Sequence, residues 1–97
     1  MGQVVLISGG TSGIGKRSAE LFATGGYQVA ILGRDAIKGQ QVAESLQQSY
    51  PQTKILYIQG DVSKAEDCAK AVAQTVQWGG SLDVLINSAG RYFEKAL

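Results

Sequence analysis

The sequence predicts a three-layer α/β fold, a parallel sheet of about four strands with helices on both faces. Two observations predict it. Apolar runs and amphipathic runs alternate along the chain, from Val4-Val5-Leu6-Ile7 to Leu82-Asp83-Val84-Leu85-Ile86-Asn87, which is the pattern of successive βαβ units. The first junction between them reads Ser8-Gly9-Gly10-Thr11-Ser12-Gly13-Ile14-Gly15, a glycine turn that leaves a strand and opens a helix. Strand, glycine turn and helix start together make a site for a dinucleotide pyrophosphate.

The elements follow in order. Val4–Ser8 is a short apolar run bounded by turn signals, hence a buried strand. Residues 14–24 read as a helix with Ile14, Ser18, Leu21 and Phe22 on one side, stopped by Gly25-Gly26. Residues 27–33, with Val29, Ala30, Ile31 and Leu32, are a second buried strand. Asp35 caps a helix running to about Gln48, with Ile37, Val42, Leu46 and Tyr50 inward, and Pro51 stops it. Residues 54–59 form the third strand. Ser63-Lys64-Ala65-Glu66 has the spacing of a capping box, Ser63 at N-cap and Glu66 three residues on. The helix it opens carries Ala65, Cys68, Ala69, Val72 and Val76 at helical spacing and ends near Gly79-Gly80. Residues 82–87 are the fourth strand. Right-handed crossovers then give the strand order 3-2-1-4. This is a Rossmann-like half-domain over residues 1–97, with its ligand crevice where the order reverses, at the carboxyl ends of strands one and four.

Each glycine of the first turn has a physical task. Gly9 lets the chain leave the strand tightly and tolerates positive φ. A side chain at Gly13 would occupy the space of a phosphate, and Gly15 lets helix and strand approach. Backbone N–H groups near Ser12, Gly13 and Ile14 lack intrahelical partners and point at a ligand whose negative charge the helix dipole favours. Thr11 and Ser12 are N-cap candidates. The competing reading is a glycine-rich turn with no ligand.

Composition removes other classes. The net charge is +1, which gives no electrostatic footprint for nucleic acid or an anionic membrane. There is no histidine and a single cysteine, Cys68, so neither a zinc cluster nor an internal disulfide is expected. Cys68 falls on the apolar side of its helix and reads as core. No apolar run reaches membrane-spanning length and the first residues lack a signal-peptide pattern, so the expected location is cytoplasmic.

With these residues in place, the chain resembles the cofactor-binding N-terminal half of the short-chain dehydrogenase/reductase family. The glycines are spaced Gly-x-x-x-Gly-x-Gly at Gly9, Gly13 and Gly15, with Ser8 where the family usually has Thr. Asp61-Val62 follows the third strand as the family's Asp-Val pair does. Asn87-Ser88-Ala89-Gly90 follows the fourth and is similar to the family's Asn-Asn-Ala-Gly, with Ser88 replacing the second Asn. The resemblance implies that Ile14 N–H and the Thr11-Ser12 turn touch the pyrophosphate. It implies that Asp61 accepts a hydrogen bond from the adenine amino group, with Val62 beside the ring, and that the backbone of Asn87, Ala89 and Gly90 lines the adenosine ribose. Alternatives stand beside these: Asp61 capping the following turn, Asn87 tying strands together, Ser88 filling space.

Cofactor choice is read at the end of the second strand. An acidic residue there would bind a ribose 2′-hydroxyl and select NAD. This chain has Gly33-Arg34, and Arg34 can pair with a 2′-phosphate and stack on adenine. The expectation is NADP, with NAD as the alternative and a solvated Arg34 as the plain reading. The implied reaction is hydride transfer between that cofactor and a carbonyl or alcohol.

In the family the chemistry belongs to a Ser, a Tyr and a Lys beyond the Asn-Asn-Ala-Gly motif, with Tyr as acid/base and Lys lowering its pKa. The sequence ends at Leu97, so these 97 residues are expected to be inactive alone and no catalytic residue is assigned. Tyr50-Pro51-Gln52-Thr53-Lys54 matches Tyr-x-x-x-Lys by letter only, because Pro51 breaks the helical geometry that would align the two side chains. The fourth strand is expected to expose an unpaired edge, which predicts self-association through that edge and the apolar sheet face. Residues 91–97 either cover part of that surface or are disordered. The rival readings of function are a non-catalytic nucleotide-binding or regulatory module and an inactive fragment that pairs with another chain.

Overall fold

A computed structural model describes residues 2–11, 13–88 and 93–96. The elements run β1 (Val4–Ser8), α1 (Gly13–Thr24), β2 (Gln28–Gly33), α2 (Ala36–Ser49), β3 (Ile55–Gln59), α3 (Ala65–Gly79), β4 (Val84–Asn87) and β5 (Phe93–Ala96). The sheet order is β3-β2-β1-β4-β5. The first four strands are parallel, in the expected order 3-2-1-4. Their register aligns Ser8 with Leu32 and Asn87, and Gly33 with Gln59. The carboxyl ends of four strands therefore share one edge of the molecule.

Side chains alternate across the sheet, as a strand requires. Val5, Ile7, Val29, Ile31 and Ile86 face α1 and α2 and pack on Ala19, Ala23, Val42, Ala43 and Leu46. Leu6, Ala30, Leu32 and Ile58 face α3 and pack on Ala71. Both faces of β1 and β2 are thus covered, which explains why they read as continuous apolar runs. Each large apolar side chain buried here contributes roughly 1.5–3 kcal/mol.

The helices are rotated from the faces expected. On α1 the buried residues are Gly15, Ala19 and Ala23, whereas Ile14 and Leu21 are 68% and 67% exposed. The helix lies close against the sheet, and close approach selects small residues at i, i+4 and i+8. Ser18 and Phe22 lie half-buried on its flank, and Phe22 stacks edge-on against Tyr27 with ring centroids 4.8 Å apart. On α2, Val42 and Leu46 are buried as expected but Ile37 is 75% exposed. On α3 the buried positions are Ala71 and Thr75. Ala65, Ala69 and Val76 are exposed, and Cys68 is half-buried on the flank rather than in the core. The Thr75 hydroxyl donates to the Ala71 carbonyl at 2.7 Å, so its burial leaves no polar group unmet.

Two further expectations are corrected. The Ser63–Glu66 capping box does not form. Lys64 occupies the N-cap with no side-chain bond, because the Ser63 hydroxyl is taken by Asp61 at 2.7 Å. The β4 edge is not left unpaired, because β5 pairs with it antiparallel, Asn87 opposite Phe93 and Val84 opposite Ala96. The expected stops hold: Gly26 and Gly80 take φ of 87° and 88° at the ends of α1 and α3.

Candidate functional site

The strand ends converge on a cleft of about 490 Å³ lined by Gly9, Thr11, Leu32, Gly33, Arg34, Gly60, Asp61, Val62, Ser63 and Ser88. That volume is within the range of small-molecule and cofactor sites, roughly 300–1,000 Å³. Five residues singled out in the sequence, Gly9, Thr11, Arg34, Asp61 and Val62, share its wall. Gly13, Ile14 and Gly15 form the first turn of α1 beside it. Ser12, Ala89 and Gly90 lie outside the described residues.

The floor of the cleft is the turn from β1 to α1. Gly9 has φ 77° and donates its N–H to the Leu32 carbonyl at 2.8 Å. A Cβ at Gly15 would collide with the Gly9 carbonyl oxygen and lie 2.7 Å from both the Gly9 carbonyl carbon and Ser88 Oγ. Among the described residues, a Cβ at Gly13 would meet nothing within 4 Å apart from its chain neighbours and its own helix backbone. The two glycines therefore differ in kind: Gly15 makes room for the protein itself, and Gly13 leaves open space beside backbone N–H groups that have no intrahelical partner. An anionic group fits that space and the partial positive charge there.

Serines join β1 to β4 under the cleft. Ser8 Oγ lies 3.3 Å from the Ile86 carbonyl and donates to Asn87 Oδ1 at 3.1 Å. Ser88 Oγ donates to the Ser8 carbonyl at 2.8 Å. Asn87 thus ties the strands, the alternative open at that position, and its side chain lies off the cleft wall. Ser88 is more than a space filler: it both lines the cleft and fastens the end of β1.

The wall opposite the glycine turn carries the charges. Asp61 Oδ1 accepts from Ser63 N–H at 2.9 Å and from Ser63 Oγ. These bonds hold the Asp61 carboxyl below its ordinary pKa, the Ser63 side chain most, with Arg34 and Lys64 adding electrostatically. The turn-capping role weighed for Asp61 is therefore real. Asp67 Oδ2 accepts the Asp61 N–H at 2.7 Å, and the Cys68 thiol donates to the Val62 carbonyl at 3.3 Å, so α3 fixes the Asp61–Ser63 loop. Asp35 Oδ1 accepts Lys38 N–H at 3.1 Å and caps α2. It is committed to the helix, which leaves exposed Arg34 as the charged side chain that β2 delivers to the cleft.

Gly33, Gly60, Ser63 and Ser88 were missed as site residues. Gly33 and Gly60 had a readable signal, since each ends or follows a strand at the edge where the crevice was expected. Tyr50, which matches the Tyr-x-x-x-Lys pattern by letter only, sits at the C-cap of α2 and bonds the Thr24 hydroxyl, at the far end of that helix from Arg34.

Fold and crevice define a Rossmann-like α/β unit with a glycine turn at the switch point of the sheet. The model of the short chain dehydrogenase family matches residues 3–96, and the chain belongs to that family of oxidoreductases. It is 42% identical over 89 residues to an 11-beta-hydroxysteroid dehydrogenase-like 2 of Arabidopsis thaliana, covering 92% of this chain and 29% of the relative. Its fold superposes on L-sorbose reductase from Gluconobacter frateurii, complexed with NADPH and L-sorbose, with a TM-score of 0.87 and 31% identity, covering 93% of this chain and 34% of that one. An NADPH-bound short chain oxidoreductase of Pseudomonas aeruginosa gives a TM-score of 0.88 at 28% identity, covering 92% and 35%. The chain thus spans about a third of the length of these relatives.

Proposed function

We propose that the cleft binds a nicotinamide dinucleotide, NADP(H) in preference to NAD(H). We further propose that these residues are the cofactor-binding part of an oxidoreductase acting on a carbonyl or alcohol. When bound, the nicotinamide supplies or accepts the hydride. This chain's residues bind and orient it. The turn at Thr11-Ser12 and the N–H groups of Gly13 and Ile14 receive the pyrophosphate. Asp61, held charged with both Ser63 bonds on Oδ1, offers its other oxygen to the adenine amino group, with Val62 beside the ring. The backbone of Asn87, at the end of β4, with that of Ala89 and Gly90 after it in the sequence, lines the adenosine ribose and leads towards the nicotinamide. Two solved relatives contain NADPH, which supports the choice of dinucleotide.

The observation that carries the preference is the position of Arg34 on the cleft wall at the end of β2, with Asp35 withdrawn as a helix cap. A partly exposed charge-assisted pair with a 2′-phosphate contributes about 1–2 kcal/mol, or about 5–30-fold. Arg34→Ala is expected to remove most of the preference and leave NAD affinity nearly unchanged, as calorimetric titration with NADP and NAD will measure. Equal affinity for the two in the parent chain would take Arg34 out of the reading.

Self-association belongs to the same proposal, now through the outer edge of β5, the terminal strand of the sheet, in place of the β4 edge. A specific interface would bury roughly 1,000 Å² or more. Sedimentation at ~100 μM should show a dimer or larger species, and a clean monomer there contradicts it.

A further inference from the structure

Arg34 stands on a turn that is fastened from an unexpected side. The Tyr57 hydroxyl donates to the Gly33 carbonyl at 2.7 Å across the β2–β3 junction. Gln59 Nε2 donates to the Arg34 carbonyl at 3.3 Å. Gly60 N–H also reaches the Gly33 carbonyl, at 3.1 Å. Consecutive carbonyls, one before and one at Arg34, are therefore held by side chains of β3. Tyr57 can reach only because α2 presents no side chain at Gly39, where a Cβ would collide with the phenol ring. Thr11 closes the other side, since a Cβ at Gly33 would lie 3.1 Å from Thr11 Cγ2.

We infer that Tyr57 and Gln59 are positioning residues for cofactor selection, fixing the Gly33-Arg34 peptides so that the guanidinium is presented to a 2′-phosphate. Neither is among the residues that line the cleft. They act through Arg34, and the inference rests on the NADP(H) reading of the cleft. A bidentate guanidinium pair depends on direction as well as distance, and a long side chain on an unfixed turn loses that direction. Burial, and then the nearby Asp35, raise the Tyr57 pKa above its ordinary value. The phenol stays protonated and donating throughout the neutral range. NAD binding is left nearly unchanged by the two β3 side chains, because NAD lacks the 2′-phosphate at which they aim the guanidinium.

Calorimetric titration of NADP and NAD into the parent chain, Arg34→Ala, Tyr57→Phe and Gln59→Ala tests this. Tyr57→Phe keeps the ring that fills the space at Gly39 and removes only the donor. The NADP-to-NAD affinity ratio is expected to fall about 2–10-fold in Tyr57→Phe, the scale of one net hydrogen bond, and less in Gln59→Ala, with NAD affinity held. A purely structural role would lower the melting temperature and both affinities together and leave the ratio alone, which overturns the inference. If Arg34→Ala moves the ratio and neither β3 variant does, this inference fails and the NADP reading stands. If the parent chain shows no preference, both fail. Gln59 is exposed, so Gln59→Ala reads the ratio even where Tyr57→Phe folds poorly.

Discussion

Gly15→Ala is expected to destabilise the fold by about 3 kcal/mol, seen as a lower midpoint in urea with an unchanged slope. Two effects of opposite sign compete at this position. Replacing a helical glycine by alanine ordinarily gains about 1 kcal/mol from helix propensity. Against it, the new methyl group would collide with the Gly9 carbonyl oxygen and lie 2.7 Å from the Gly9 carbonyl carbon. Ser88 Oγ is equally close, but a hydroxyl can rotate away at the cost of its bond to the Ser8 carbonyl. The Gly9 carbonyl cannot, because Gly9 is held at φ 77° with its N–H on Leu32. Relief must come from α1 lifting off the sheet, which opens the contacts of Ala19 and Ala23, both within 3% of full burial. Overpacking against backbone sits at the costly end of its range, so the steric effect wins. An unchanged or raised midpoint would show that the turn yields instead, and that the closeness of α1 to β1 is not what Gly15 provides.

The topology was legible because β1 and β2 are buried on both faces, so Val4 to Ile7 and Val29 to Leu32 needed no periodicity to be recognised. The helix faces were not legible for a related reason. Hydrophobic weight pointed to Ile14, Leu21, Ile37 and Val76, yet closeness to the sheet admits alanine and glycine, and the larger side chains are left outside. The α3 start was misread because the Ser63 hydroxyl had two possible partners. Asp61 is two residues away and takes it, while Asp67 reaches back to the Asp61 amide. The strand at Phe93–Ala96 was hidden by the charges of Glu94 and Lys95 and by the lack of an apolar run.

Within the site, the expected residues that the fold brings to the cleft are those written locally in the chain: the glycine turn, Arg34 at a strand end, and Asp61 after the next. What was missed depends on the register of the sheet. Tyr57 meets Gly33 across 24 residues of sequence, Gln59 meets Arg34 across 25, and Ser88 meets Ser8 across 80. No local spacing announces such pairs. They exist because four parallel strands end at one level, and only the folded register says which side chain falls beside which carbonyl.

Gly13→Val is expected to abolish binding of both NADP and NAD while leaving stability at or slightly above that of the parent. Among the described residues, and apart from its chain neighbours and its own helix backbone, nothing lies within 4 Å of where a Cβ would stand at Gly13, so the fold has room for the side chain. Valine is also a somewhat better helix residue than glycine, by a few tenths of a kcal/mol. Binding is another matter. The first turn of a helix offers N–H groups without partners, and its dipole favours an anion only at hydrogen-bond range. Two methyl groups on that turn keep a phosphate from closing to that range, and the donors are then left facing a ligand they cannot reach. The loss is common to both cofactors because the pyrophosphate is common to both. That separates it from Arg34→Ala, which touches only the 2′-phosphate, and from Gly15→Ala, which acts on the fold first. NADPH fluorescence titration beside a urea midpoint for the same preparation decides it. A folded Gly13→Val chain that still binds NADPH as the parent does would mean that the open space at Gly13 is not where the phosphate sits.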